Sequence, residues 1–196
     1  PGERHVYLKN PKYKPRSEPA SGLAGGKVAK VDRVEFVDMP DPTQQVNALI
    51  AGEIDMIENV PHDLLPLLKA DKNVQTVNWN PLGKQFIIRF NHLTKPFDNP
   101  KIRQAALLAM KQEDYLKATV GDSQYYKVCT AAFVCGTPNG FEIKGDLLVK
   151  PDFEKSKALL KEAGYDGSPV VLMQSTTLPV LTNMAPVTKS LLEQGG

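Results

Sequence analysis

Two cysteines, Cys129 and Cys135, stand in the segment Cys-Thr-Ala-Ala-Phe-Val-Cys-Gly and are the only ones in 196 residues. A metal site built on such a pair needs about two more soft ligands, and His5, His62 and His92 lie far off with no i, i+4 pairing. No metal ligation is expected. A redox dithiol of the Cys-x-x-Cys kind separates its sulfurs by two residues, whereas five separate these. Two readings remain: a small disulfide-closed loop, which we adopt, or two reduced cysteines packed as small apolar groups. A bridge would contribute on the order of 2 kcal/mol by restricting the unfolded chain, and it implies an oxidising compartment.

Other chemistry is scarce. The chain has no Gly-x-Ser-x-Gly elbow, no Gly-x-x-x-x-Gly-Lys-Ser/Thr loop and no Gly-x-Gly-x-x-Gly turn. Gly22-Leu23-Ala24-Gly25-Gly26-Lys27 is glycine-rich, yet it precedes an alternating segment instead of opening a helix, so it reads as a connector. Glu53 and Asp55 flank a helix exit and a strand start, where solvated or capping acids are common. No catalytic residue and no cofactor are therefore expected. Trp79, the only tryptophan, combines apolar area with one donor and suits either a core anchor or a cleft wall.

The elements that would position these residues alternate in type. Val31 to Phe36 alternates apolar and polar residues, as in a strand with one buried face. Asp41 and Pro42 open a helix with a stripe of Val46, Leu49 and Ile50, ended by Gly52. Ile54 to Ile57 reads as a strand, Pro61 to Ala70 as a helix and Val74 to Trp79 as a strand. Phe86 to Phe90 is the most apolar strand candidate, and the turn-rich run from Asn91 to Pro100 follows it. Pro100 to Lys111 is an amphipathic helix with Ile102, Ala105, Ala106 and Ala109 inward. A second helical piece spans Asp114 to Val120. Asp152 caps a third, carrying Phe153, Ala158, Leu159 and Leu160, with Gly164 at its left-handed exit. A strand at Val170 to Met173 and a helix from Leu178 to Gln194 close the record. The expected fold class is α/β.

Composition agrees with a folded chain: 41% hydrophobic, 23% charged and a net charge of +2. The 24 basic residues are dispersed among 22 acidic ones, which argues against a nucleic-acid partner. No apolar run approaches the length of a membrane span. Neither terminus carries an initiator methionine or an apolar leader, and the chain reads as a piece of a longer protein.

Several strings, taken in order, bring a family into view. Asp41-Pro42-Thr43, Leu49-Ile50-Ala51-Gly52-Glu53-Ile54-Asp55-Met56, Phe90-Asn91, Pro96 to Ala105 and Lys157 to Tyr165 resemble the bacterial extracellular solute-binding proteins of family 5, the receptors of peptide, nickel and related ABC importers. Leu8 to Tyr13 is similar to that family's strand-and-turn element, with Lys14 where an aromatic often follows. The cysteine segment is an insertion where the family often has a glycine-rich stretch near the ligand. The resemblance implies a periplasmic-binding-protein-like fold with portions of two α/β lobes, residues 1–88 in the first and 89–196 in the second. It implies a periplasmic or otherwise extracytoplasmic monomer that captures a peptide or small solute by hinge closure and docks on a membrane ABC permease. Ligand contacts are then expected from Trp79, Asn80, His92, Tyr126 and Phe133, near the crossing or in the insertion. Two rivals stay open: a non-catalytic fragment of a larger enzyme whose active site lies outside this chain, and an interaction domain with no small ligand.

One outcome is checkable from the cysteines alone. Denatured without reductant, the protein should offer no thiol to a chromogenic disulfide reagent, and two reactive groups would remove the bridge.

Overall fold

A computed structural model describes residues 4–142, 145–176 and 178–196. By its internal contacts the chain divides into two compact units, Pro1–Val60 and Pro61–Gly196.

In the first unit, β1 (Arg4–Leu8) pairs antiparallel with β2 (Arg33–Val37), Arg4 facing Val37 and Leu8 facing Arg33. Alternation sorts the side chains onto two faces. On one, the Glu35 carboxylate lies between Arg4 at 2.8 Å and Arg33 at 2.5 Å. On the other, Tyr7 and Phe36 meet edge to face with centroids 5.7 Å apart. Helix α1 (Pro42–Ile50) begins as the sequence dictates, with the Asp41 side chain accepting from the Gln44 amide at 2.9 Å and proline in the first turn. Its buried residues are Val46 and Ala48, while Ile50 is exposed, so the apolar stripe is wider than what covers it.

The second unit starts with a single 3-10 turn at His62–Leu64 that runs into α2 (Leu65–Ala70). Of its leucines only Leu68 is fully buried. Then come α3 (Pro100–Ala109), α4 (Gln112–Thr119), α5 (Phe153–Glu162) and α6 (Pro179–Gly195). Asn99 caps α3 by accepting from Lys101 N at 2.9 Å, and Ile102, Ala105, Ala106 and Ala109 are its buried residues, as the periodicity predicts. Arg103 reaches back to donate to the carbonyls of Phe97 at 2.6 Å and Asp98 at 3.1 Å, which pins the preceding turn. The Phe97 ring packs on Phe90 with centroids 4.5 Å apart.

Helix α4 has no side-chain cap. Its first amide, Gln112 N, donates instead to the Leu148 carbonyl at 2.7 Å. Leu148 takes a φ of 65°, a left-handed conformation that costs a non-glycine residue about 1–2 kcal/mol, and its side chain packs against the core of Met110, Tyr115 and Leu191. The Tyr115 hydroxyl donates to Met110 Sδ at 2.8 Å, and burial pushes its pKa up.

Helix α6 contains Pro186, which cannot supply the amide that the Thr182 carbonyl would normally accept. The Gln174 side-chain amide fills the place, donating to Thr182 O at 3.0 Å. Helix α5 is capped by Asp152, which accepts from Lys155 N at 2.9 Å, and Gly164 follows it with a φ of 68°, both as expected. Of its apolar residues Phe153, Leu159 and Leu160 are half-buried and Ala158 is exposed, whereas Ser156 is 1% exposed. Ser156 Oγ lies 3.0 Å from the Ala105 carbonyl and 2.9 Å from that of Gly195, so a small hydroxyl joins α3, α5 and the end of α6 where an apolar side chain would not fit.

Four further segments read as strands, at 54–57, 74–79, 86–90 and 170–173, are extended or irregular and unpaired. A strand is defined by a ladder of backbone hydrogen bonds to a neighbour, which side-chain alternation does not itself provide. Among the described residues, no helix is long and apolar enough to cross a membrane.

A Cβ placed on Gly195 would stand 2.8 Å from Ala109 Cβ and 2.9 Å from Ser156 Oγ. Gly195→Ala should therefore destabilise the protein by about 1–3 kcal/mol through overpacking, read as a lower urea midpoint with an unchanged slope. An unchanged midpoint would show that the three-helix junction is loose.

Candidate functional site

The residues with recognition chemistry gather in the second unit, where the stretch from Pro61 to Phe90 meets the loops after α4. Two contact zones form there.

The first is electrostatic and aromatic. The turn at His62–Leu64 and helix α2 bring His62 and Lys69 to one side, and a short 3-10 turn at Ser123–Tyr125 brings up the other. His62 stacks on Tyr125 with centroids 5.1 Å apart and planes tilted by 43°. The Lys69 ammonium donates to the Tyr125 hydroxyl and lies 5.0 Å from the ring centroid, within cation–π range. Asp122 caps the short turn, accepting from the Gln124 backbone amide at 2.9 Å and from its side chain. Those hydrogen bonds, with the positive fields of Lys69 and His62 adding, hold the Asp122 carboxyl below the usual range. An open cavity of about 390 Å³ lies here, floored by Leu65, Pro66 and Ala70.

The second zone is built on the cysteine loop. Cys129 and Cys135 are joined in a disulfide, the expectation adopted from their spacing. Gln112, the first residue of α4, grips the loop through both ends of its amide: Nε2 donates to Cys129 O at 2.9 Å, and Oε1 accepts from Cys129 N at 2.6 Å. From the other side Gln85 Nε2 donates to Ala131 O at 3.2 Å, and a methyl of Leu82 lies against Gly136. Ala131 is buried beneath the loop, while Phe133 points outward at 62% exposure.

The residues expected to contact ligand lie along the same unit. Trp79 is 86% exposed, which places it outside any core. The Asn80 side chain closes its own turn by donating to Gly83 O at 2.7 Å. His92 is exposed on the loop after Phe90. Tyr126 is half-buried beside Tyr125, and Phe133 crowns the disulfide loop. Sequence reasoning missed His62, Lys69, Asp122 and Tyr125, which lie more than fifty positions apart in two groups with no shared motif. It also missed Gln85 and Gln112, since a glutamine's partner cannot be read from its neighbours. Among the described residues there is no group of three or more His, Cys, Asp or Glu able to hold a metal ion.

Comparison with known proteins agrees with this architecture. The family described as "Bacterial extracellular solute-binding proteins, family 5 Middle" matches residues 1–196. The chain is 40% identical over 200 residues to a probable peptide ABC transporter periplasmic-binding protein, y4tO, of Sinorhizobium fredii, covering 100% of this chain and 38% of that protein. It is 28% identical over 156 residues to the dipeptide-binding protein DppE of Bacillus subtilis, covering 76% of this chain and 28% of that one. In fold it is similar to the ABC transporter substrate-binding protein CtaP of Listeria monocytogenes, with a TM-score of 0.65 at 22% identity, over 99% of this chain and 37% of that one. It is likewise similar to AgaA of A. tumefaciens, solved with agropinic acid, with a TM-score of 0.62 at 22% identity, over 85% of this chain and 33% of that one. The fold class is thus that of periplasmic binding proteins of α/β type. The chain spans less than two-fifths of the length of these relatives.

Gln112→Met keeps the length of the side chain and removes both hydrogen bonds to Cys129. The loop at 129–135 should then exchange its amide hydrogens about ten-fold faster, corresponding to about 1–2 kcal/mol, while α3 and α5 exchange at the original rate. Unchanged loop protection would mean that the disulfide alone orders it.

Proposed function

The chain belongs to the bacterial extracellular solute-binding proteins of family 5, and from that premise we propose that it is part of the substrate-binding component of an ABC importer. In this reading the protein captures a peptide or related small solute between two lobes by hinge closure. The observation that carries the proposal is the family match across residues 1–196 together with 40% identity to a protein named for peptide transport.

Residues 1–88 form a segment of the first lobe and 89–196 a segment of the second, with the chain crossing near Ile88. Trp79, Asn80, His92, Tyr126 and Phe133 supply contacts to the solute. Exposed rings at Trp79 and Phe133 support this part, since an aromatic face adds contact area at low entropic cost wherever a ligand covers it. The partner is a membrane permease, the location extracytoplasmic and the protein a monomer. Capture and release involve no covalent step, so no catalytic residue is required.

The unpaired extended segments support the same reading. Val77, Ile87, Val171 and Met173 are more than half exposed. We assign these runs as strands whose hydrogen-bonding partners come from other parts of the full-length protein.

The full-length protein, purified without denaturation, should carry a solute that native mass spectrometry detects and unfolding releases. After refolding, defined di- to pentapeptides should raise its melting temperature, as binding to the native state alone requires. A protein that carries no solute and melts unchanged with every peptide would overturn the proposal.

A further inference from the structure

We propose that the Cys129–Cys135 bridge is a redox-sensitive clasp on the outer limb of its loop: reduction frees residues 133–136, with the Phe133 ring, and leaves the inner limb, residues 129–131, in place. Every residue concerned lies in the second unit.

The inner limb is held without help from the sulfurs. Gln112 meets the Cys129 backbone twice, donating to its carbonyl at 2.9 Å and accepting from its amide at 2.6 Å, so neither bond involves the cysteine side chain. Gln85 Nε2 donates to Ala131 O at 3.2 Å, and Ala131 is itself buried and paired with Glu142 in an isolated antiparallel bridge.

The outer limb has a different footing. The Val134 carbonyl accepts from Thr137 N at 3.3 Å and from Thr137 Oγ1 at 2.7 Å, and Gly140 N donates to Thr137 O at 2.9 Å. These bonds shape a turn, but both partners belong to it, and they travel with it. Among the described residues, the hydrogen bonds made by residues 133–136 all arise within the stretch 129–140. From outside, a methyl of Leu82 lies against Gly136, a dispersion contact of little strength. Phe133 is 62% exposed, so burial does not fix its ring either. The bond from Cys135 to Cys129 is what passes the fixed position of the inner limb to the outer one.

Both cysteines are half-buried, within reach of a small reductant. A dithiol attacks one sulfur as its thiolate and then closes on itself: two electrons and two protons pass to the cysteines, which become two thiols, while the reductant becomes a disulfide. The loop constraint disappears with the bond, whereas Gln112 and Gln85 keep their partners. Phe133 therefore holds one position in oxidising surroundings and swings free in reducing ones, whether or not it touches a solute.

The test compares the full-length protein as oxidised with the same protein reduced under native conditions by a water-soluble phosphine, which is converted to its oxide. Chymotrypsin cuts after Phe133 only when the outer limb opens into the protease, and mass spectrometry identifies the cut. Hydrogen exchange at the Cys129 amide reads the inner limb. Reduction should speed the cut after Phe133 about ten-fold and leave exchange of the Cys129 amide within about two-fold of its original rate. The double variant Cys129→Ser, Cys135→Ser should match the reduced protein on both readouts, because Gln112 binds backbone; if it does not fold, the reduced parent decides alone. Equal cleavage with and without the bridge overturns the clasp, since the outer limb then has another hold. A Cys129 amide that speeds up in step with the cut overturns it as well, since the bridge then orders the whole loop.

Discussion

A buried hydroxyl sets the geometry of the second unit. Ser156 Oγ has one proton and two carbonyls within reach, that of Ala105 in α3 and that of Gly195 at the end of α6. A hydrogen bond replaces an apolar contact here because the helices come too close for one: beside Ser156, even the Cβ of an alanine at 195 would collide with Ala109. Small residues at 105, 106, 109, 156 and 195 are the means of that approach. Once α3, α5 and α6 are joined in this way, α6 presents Leu191 to Tyr115 and Met110, which seats α4. The position of Gln112 follows from α4, and that of the disulfide loop from Gln112.

Local and distant constraints divide the work along this path. Helix starts are local, since an Asp or Asn followed by proline supplies an acceptor and a preset φ within four residues. Asp41 and Asn99, each followed by proline, cap in this way, and Asp152, followed by Phe153, caps by its acceptor alone. Helix α4 lacks such a residue and borrows the carbonyl of Leu148, at the expense of a left-handed leucine. Pro186 similarly leaves a carbonyl in α6 to be satisfied by Gln174, twelve positions earlier. In each case the backbone account is closed by a group from another part of the chain.

The candidate site depends on the same long-range logic. Exposed ion pairs and aromatic contacts each contribute about 1 kcal/mol or less, too little to determine a fold. Gln85 and Gln112, by contrast, hold backbone groups and give the disulfide loop a defined setting from both sides. The site thus joins a firmly held loop to a set of weak contacts at the surface.

By itself the sequence determined the helices, the caps of α1, α3 and α5, the inward face of α3, the disulfide and the family, because each is written in residues close together or in short strings in order along the chain. It also singled out Trp79, Tyr126 and Phe133, rings that the structure leaves exposed or half-buried. Tertiary structure alone decided that Ser156 would be buried and Ala158 exposed, since burial on α5 follows from helix separation and not from apolar period. It decided that His62 and Lys69 meet Tyr125, a pairing that exists only once the chain between them has folded back. The apolar runs at 74–79, 86–90 and 170–173 show the limit from the other direction. Alternation prepares a segment for a sheet, but a strand comes into being only when a neighbour offers its backbone.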